Sequence, residues 1–309
     1  MPRLTDHHGL ENDTPVVVVH GGAGGHTDEI REREAEYRAA LEEALNAAAD
    51  ALAGAGGARG GAVEAVRAAV MVLESVPLFN AGHGAALCSD GSVELSASVM
   101  RGSDRAAGGV AMITRTRHPV AAAVALLDEP EVLLAGASAD AQAAANGLEQ
   151  IDQTGFVTER QRRRLAEGRA GGAVGPDPET VGAVCLDATG LLAAATSTGG
   201  LNGQRPGRIG DSPLIGAGTW ADERVAVSCT GQGETFIRAG AARLVAALLE
   251  QGETLESAAD AAMEAVAGCG GTGGLIAVDA HGNVTAPRST AAMPCGVWRG
   301  GKIPVTTVP

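Results

Sequence analysis

The stretch "PETVGAV", Pro178 to Val184, joins two kinds of chain, and the break within it organises the rest. On its amino side, "EGRAGGAVGPDPE", Glu167 to Glu179, is rich in Gly and Pro and has no apolar period, which predicts a flexible linker over 168–179. On its carboxyl side, "TVGAVCLD" and "LLAAATSTGG" are apolar runs separated by "ATG", which predicts a buried hairpin. Thr180 stands on the boundary. Threonine starts strands well, and that alone accounts for its place. A second reading is chemical. An internal Thr hydroxyl is a weak nucleophile that needs a base. A cut between Glu179 and Thr180 would give Thr180 a free α-amine, with an ordinary pKa of about 7.7 to 8.0, on the same residue as the hydroxyl. The heptapeptide leaves both readings open.

Further out, the same punctuation recurs. "TPVVVVHGGAGG", Thr14 to Gly25, reads as a buried strand entering a tight loop. Helices are expected over 28–53, 61–75, 119–128, 131–145, 234–251 and 254–267, from their apolar faces. "PLFNAGHGAALCSDGSVELSASVM" reads as a loop, a short strand, a turn at Ser89-Asp90-Gly91 and a second strand. Further strands are expected over 108–116 and 224–233, and "GGLIAVDAHGN" reads as a hairpin. Paired strands alternating with paired helices predict an α/β protein of layered sheets with helices outside.

The 309 residues are 45% apolar but only 2% aromatic, so Val, Leu, Ile and Ala must fill the core. The net charge of −14 argues against nucleic acid and anionic membranes as partners. The one basic block, "ERQRRRLAEGR", reads as the solvated face of a helix. No apolar run is long enough to span a bilayer, and the first 13 residues lack signal-peptide character, reading instead as a loose tail. Five dispersed cysteines form no C-x-x-C pair, so a reducing cytoplasm is expected.

Candidate chemistry gathers after Thr180. Thr196-Ser197-Thr198-Gly199-Gly200 sets hydroxyls at a strand end. "PGRIGDSP" puts Arg208 and Asp211 in one glycine-rich loop. Thr230-Gly231-Gln232-Gly233 repeats the threonine-then-glycine pattern. Such ends let a ligand approach backbone N–H groups closely. The nucleotide reading of the first glycine loop fails, because Thr27 stands where G-x-G-x-x-G needs its third glycine.

Taken together, "TVGAVCLDATGLLAAATSTGG", "RPGRIGDSPLIGAGTWA", "VVVVHGGAG", "PLFNAGHGAAL", "TGQGETFIR" and "GGLIAVDAHGN" closely resemble the plant-type L-asparaginase/isoaspartyl peptidase family over essentially the whole chain. These are N-terminal-nucleophile hydrolases with an αββα sandwich. The resemblance implies a single αββα domain that cuts itself into 1–179 and 180–309 and hydrolyses L-asparagine and β-aspartyl dipeptides through a threonine acyl-enzyme. Thr180 is then the nucleophile and Thr198 its supporting threonine. Thr230 and Gly231 resemble the oxyanion hole. Arg208 and Asp211 resemble the pair that grips the substrate's α-carboxylate and α-ammonium, with Gly233 beside them. Glu179, Asn80, Gly21 and Gly22 resemble the elements shaping the cleavage site. The loop from Leu73 to His83 resembles a structural sodium site made of backbone carbonyls, from Leu73, Glu74, Phe79, Ala81 and His83. No organic cofactor is implied, and a homodimer of cleaved protomers is.

The chain departs from the family pattern in three places. Glu179 replaces the usual Gly before the nucleophile, and Ser96 and Arg101 in "LSASVMRG" replace two acids. These departures are the support for an uncut, non-catalytic binder of aspartyl-like ligands. A glycosylasparaginase-like specificity is the other alternative.

Overall fold

A computed structural model describes residues 14–25, 28–55, 61–170 and 180–308. The expected tail over 1–13, residues 171–179 of the expected linker and Glu179 itself therefore lie outside the described residues.

The expected hairpin after Thr180 is present as β5 (Val181–Leu186) and β6 (Leu192–Thr198), turning at Gly190 with φ 82°. It forms the middle of a large sheet. β1 (Val16–His20) pairs with β5 on one side, and β2 (Leu95–Arg101) pairs with β6 on the other. β3 (Ala107–Ile113) and β4 (Leu133–Ala135) extend the β2 side, and β11 (Cys295–Arg299) and β12 (Val305–Thr307) extend the β1 side. The order is β12-β11-β1-β5-β6-β2-β3-β4, antiparallel throughout except for β3 with β4. A second sheet, β10-β9-β8-β7, comprises β7 (Thr219–Ala221), β8 (Val225–Gly231), β9 (Gly273–Asp279) and β10 (Val284–Thr285).

The two-residue period of a strand sends alternate side chains to opposite faces, and here each face finds a different layer. Val17, Val19, Val181, Ala183, Cys185, Ala193 and Ala195 pack under helices α2 (Glu34–Gly54) and α3 (Gly61–Ser75), with α4 (Pro119–Val124) and α5 (Gly136–Ala145) beside them. Val16, Val18, Val184 and Ala194 face the second sheet, meeting Ala226, Ile276 and Val278. The second sheet's outer face is covered by α7 (Gly233–Ala239), α8 (Ala241–Glu250) and α9 (Leu255–Gly268). The result is helix, sheet, sheet, helix: the expected αββα sandwich. A buried Val or Leu contributes about 1.5 to 3 kcal/mol and an Ala far less, so these Ala-rich faces rely on close approach of backbone to backbone.

Several boundaries differ from expectation. The helix over 28–53 is broken into α1 (Asp28–Glu32) and α2. The segment expected as one helix over 131–145 begins with β4, because Leu133 and Leu134 pair in parallel with β3. The helix over 234–251 is split by Gly240, whose left-handed φ of 59° caps α7. The short strand expected before the turn at Ser89 is absent over 85–88, where the N–H groups of Ala85, Ala86 and Cys88 bond to Gly82, Asn80 and Ser92 instead of to a neighbouring strand. Gly168 and Arg169, expected in the linker, are the last residues of α6 (Glu159–Arg169). This basic helix is not merely a solvated face. Arg160 donates to the Leu78 carbonyl at 2.7 Å and Gln161 to that of Gly84 at 2.8 Å, pinning the loop after α3.

Candidate active site

Strand register brings the expected threonines together. Ser96 on β2 lies directly opposite Thr198 on β6, and Val181 on β5 opposite Ser197, so Thr180 and Thr198 meet at the same end of the sheet. The Thr180 hydroxyl donates to Thr198 Oγ1 at 3.1 Å. Thr198 Oγ1 also accepts the Gly200 N–H at 3.0 Å, which fixes the position of that oxygen and polarises its own O–H as a donor. Both threonines are 5% exposed, at the floor of the site and not on the surface.

Asn80 holds this rung from behind. Its Nδ2 donates to the Gly200 carbonyl at 2.6 Å, its Oδ1 accepts from Ala86 N–H at 2.6 Å, and its backbone carbonyl accepts from Gly199 at 2.9 Å. A Cβ on Gly199 would come within 2.5 Å of both Asn80 Oδ1 and Ala85, so only glycine lets the turn pass. On the other side, Gly21 packs so closely that a Cβ would lie 2.4 Å from the Phe79 ring, and Gly22 turns the chain at φ 104°. That turn aims Ala23 N–H at Thr230 Oγ1, 3.1 Å away, leaving the fully buried Thr230 hydroxyl with its proton to donate. Gly231 follows at φ 149°, where a Cβ would strike the Thr272 carbonyl.

The charged pair converges on Gly233. A Cβ there would sit 2.8 Å from Asp211 Oδ1 and 3.0 Å from an Arg208 Nη, so the glycine keeps the space between them open. Arg208 makes a two-pronged contact with Glu234, Nε to Oε1 at 2.8 Å and Nη2 to Oε2 at 2.9 Å, and reaches Gln204 with Nη1 at 3.4 Å. Asp211 is 4% exposed, and its Oδ2 has no hydrogen-bond partner among the described residues. Burial therefore pushes its pKa up to about 7, against the opposing pull of Arg208 and with a further push from Glu234. A buried carboxylate with an unused oxygen beside a guanidinium can take an ammonium group.

The two acid-replacing residues part company. Ser96 sits on the rung itself, and its Oγ accepts from Met112 N–H at 3.4 Å, where β3 bulges and Met112 takes φ 53°. Arg101 lies at the far end of β2, paired with Asp104 and Asp128. The loop from Leu73 to His83 folds back on itself. Cβ atoms on Gly82 and Gly84, both at positive φ, would strike the Glu74 and Phe79 carbonyls, so those oxygens face into the loop. The Glu74 carbonyl accepts from His83 N–H at 2.7 Å. The Glu74 carboxylate is engaged elsewhere, with Ser197 at 2.6 Å, Val120 N–H at 2.9 Å and His118 at 3.2 Å, and burial raises its pKa.

Sequence reasoning gave no role to Glu234, Gln204 or a set of buried hydroxyls, Ser98, Thr196, Thr219 and Ser228, although Thr196 is among the strand-end hydroxyls it singles out. Three of these had a signal: Ser98, Thr196 and Ser228 lie two residues from Ser96, Thr198 and Thr230, on the same strand faces.

Comparison with known proteins gives the family. A family model described as asparaginase, Asparaginase_2, matches residues 13–308. The chain is 41% identical over 308 residues to the isoaspartyl peptidase of Escherichia coli K12, covering 95% of each chain. It is 42% identical to the isoaspartyl peptidase of Salmonella typhimurium, covering 95% of this chain and 98% of that one. It is 39% identical to the human isoaspartyl peptidase/L-asparaginase, covering 94% of each.

Proposed function

The chain belongs to the Asparaginase_2 family, and from that premise we propose an amidohydrolase that acts on L-asparagine and β-aspartyl dipeptides through Thr180. The observation that carries the residue assignment is the buried Thr180–Thr198 hydrogen bond at the strand ends. In this reading the chain first cuts itself between Glu179 and Thr180. The freed α-amine then accepts the Thr180 hydroxyl proton as Oγ attacks the side-chain carbonyl of the substrate. The oxyanion is held by Thr230 and the Gly231 backbone. The proton passes to the leaving amine or ammonia as the C–N bond breaks, leaving an ester on Thr180. Water, activated by the same amine, hydrolyses the ester and releases L-aspartate. Arg208 reads the substrate's α-carboxylate and Asp211 its α-ammonium. Thr198 orients Thr180.

The carbonyl-lined loop from Leu73 to His83 suits a hard cation with oxygen ligands. We assign it to a sodium ion, through the carbonyls of Leu73, Glu74, Phe79, Ala81 and His83, with the structural role of keeping Asn80 in place. The proposed setting is a cytoplasmic homodimer of cleaved protomers. No helix among the described residues is long and apolar enough to cross a membrane.

A denaturing gel paired with two assays tests the whole reading. Protein showing two fragments, 1–179 and 180–309, should release ammonia from L-asparagine and cleave a β-aspartyl dipeptide. An uncut chain after long incubation, or cut protein inert toward both, would defeat it.

Asp211 adds a pH dependence. Its folded pKa, raised to about 7, means that much of it is protonated in mildly acidic buffer, and only the ionised form attracts an ammonium. Product binding should therefore strengthen as pH rises toward 7 and level off above. Between pH 5 and 7 the Thr180 amine, with an ordinary pKa of about 7.7 to 8.0, stays largely protonated, so over that range the inhibition constant of L-aspartate reports Asp211. The constant should rise roughly tenfold for each unit by which the pH falls well below 7, the slope of a single protonation. A constant that stays flat between pH 5 and 7 would remove Asp211 from this role.

A further inference from the structure

One step below the Thr180 rung, on the same inter-sheet face, lies a second polar rung that the reaction scheme does not use. In register it runs His20, Gly182, Thr196, Ser98 across β1, β5, β6 and β2. The facing sheet supplies Ser228 and Thr219. Ser98 Oγ donates to the Ser212 carbonyl at 2.5 Å and lies 2.7 Å from Thr219 Oγ1. Thr219 Oγ1 is 2.6 Å from Thr196 Oγ1, which is 2.7 Å from Ser228 Oγ. Ser228 Oγ is 3.0 Å from His20 Nε2. Thr196 also donates to the Gly218 carbonyl at 3.2 Å. Ser98, Thr196, Thr219, Ser228 and His20 are all completely buried.

Two features show that the seam is built in. Gly182 is the one position of the rung without a side chain, and a Cβ there would lie 2.0 Å from Ser228 Oγ and 2.5 Å from His20 Nε2. The missing side chain is the notch into which the opposite sheet inserts. Next to this seam the inter-sheet layer is Val16, Val18, Val184, Ala194, Ala226 and Ile276, so apolar packing would have been available at less cost than burying four hydroxyls. Both carbonyls that the seam grips belong to one loop. Ser212 follows Asp211, and Gly218 closes against it: a Cβ on Gly218 would lie 2.6 Å from the Asp211 carbonyl.

We infer that Ser98, Thr196 and Thr219 are positioning residues that dock the Asp211–Gly218 loop onto the strands carrying Thr180 and Thr198. The inference rests on the assignment of Asp211 as the partner of the substrate's ammonium. The seam fixes where that carboxylate stands relative to the nucleophile, so it governs recognition of the α-amine and leaves that of the α-carboxylate to Arg208.

Two inhibitors on purified cleaved protein separate these contributions: L-aspartate carries both groups, and succinate lacks the amine. Thr219→Val keeps the shape and removes the hydroxyl. It should weaken L-aspartate roughly tenfold, as expected for a disrupted buried hydrogen bond, and leave succinate within about twofold. Thr219→Ser should restore selectivity. Ser98→Ala, which cuts the bond to Ser212 itself, should give the same selective loss and serves alone if Thr219→Val does not fold. Equal weakening of both inhibitors, or no rescue by Thr219→Ser, would reduce the seam to general packing and overturn the inference. Asp211→Asn is measured alongside. If it too spares the distinction between L-aspartate and succinate, the assignment of Asp211 fails. If it abolishes the distinction while both seam variants keep it, only the seam's role fails.

Discussion

Thr180→Ala is expected to yield a single uncut chain with no measurable turnover of L-asparagine or a β-aspartyl dipeptide. The substitution removes the hydroxyl that attacks the substrate, and self-cleavage at the Glu179–Thr180 bond needs the same hydroxyl to attack the Glu179 carbonyl. Without the cut, no α-amine exists to serve as base. Loss of a nucleophile together with its base corresponds to at least about 10⁴-fold in kcat. The fold should survive, because among the described residues the Thr180 side chain makes one hydrogen bond, to Thr198, and the strand after it is held by backbone pairing on both sides. Intact mass and ammonia release, with circular dichroism to confirm folding, decide the matter. A variant that still cuts, or still turns over, would move the nucleophile to another residue.

Arg208→Ala should cost roughly 2 to 5 kcal/mol in kcat/KM, the range for truncating one side of a desolvated charge pair. The competing account is an ordinary ion pair with Glu234. That pair is visible, two-pronged at 2.8 and 2.9 Å, but Glu234 is largely exposed and Arg208 is not. An ion pair with an exposed partner contributes about 0 to 1 kcal/mol, so its loss alone would barely change turnover. Glu234 occupies one edge of the guanidinium, Nε and Nη2, while Nη1 makes, among the described residues, only the long contact to Gln204. A substrate carboxylate must take the Nη1 side or displace Glu234. Arg208→Lys should recover little, because a point charge cannot satisfy Glu234 and a carboxylate with the same planar fork. Kinetics on fully cleaved protein are required, since a processing defect would mimic a binding one. Near wild-type kcat/KM for Arg208→Ala would remove it from the site.

Much of this was legible in the residues. The hairpin from Thr180 to Thr198 declared itself through two apolar runs and a turn, and the αββα layering came through the family resemblance. Arg208, Asp211 and Gly233 were named from a glycine-rich loop and a strand end, and they do converge, because glycine at 233 leaves the gap they share. The failures have physical causes. β4 was read as helix because three residues of pairing carry no period, and only the neighbouring β3 edge makes them a strand. Gly240 was passed over inside a helical pattern because a left-handed cap depends on tertiary packing. Arg160 and Gln161 hid in a charge run, where sequence shows charge but not which member turns inward. The buried seam was missed for a different reason. Its alternating Ser and Thr were visible, but a hydroxyl in a strand shows its partner only when the facing sheet is in place.

The order of strands in the large sheet has a consequence for the molecule's history. β5 and β6 come after Thr180, and they are wedged between β1 and β2, which come before it, while β11 and β12 close the β1 side. A chain cut at Thr180 would be two polypeptides woven into one sheet, each forming part of the other's hydrogen-bond ladder. Neither could leave without tearing central strands out of their neighbours. Once torn apart, the pieces would have to find each other from solution, a second-order encounter in place of a first-order collapse. The precursor alone folds as one molecule, so its fold would be reached once, before the cut, and preserved afterwards by the height of the barrier to unfolding.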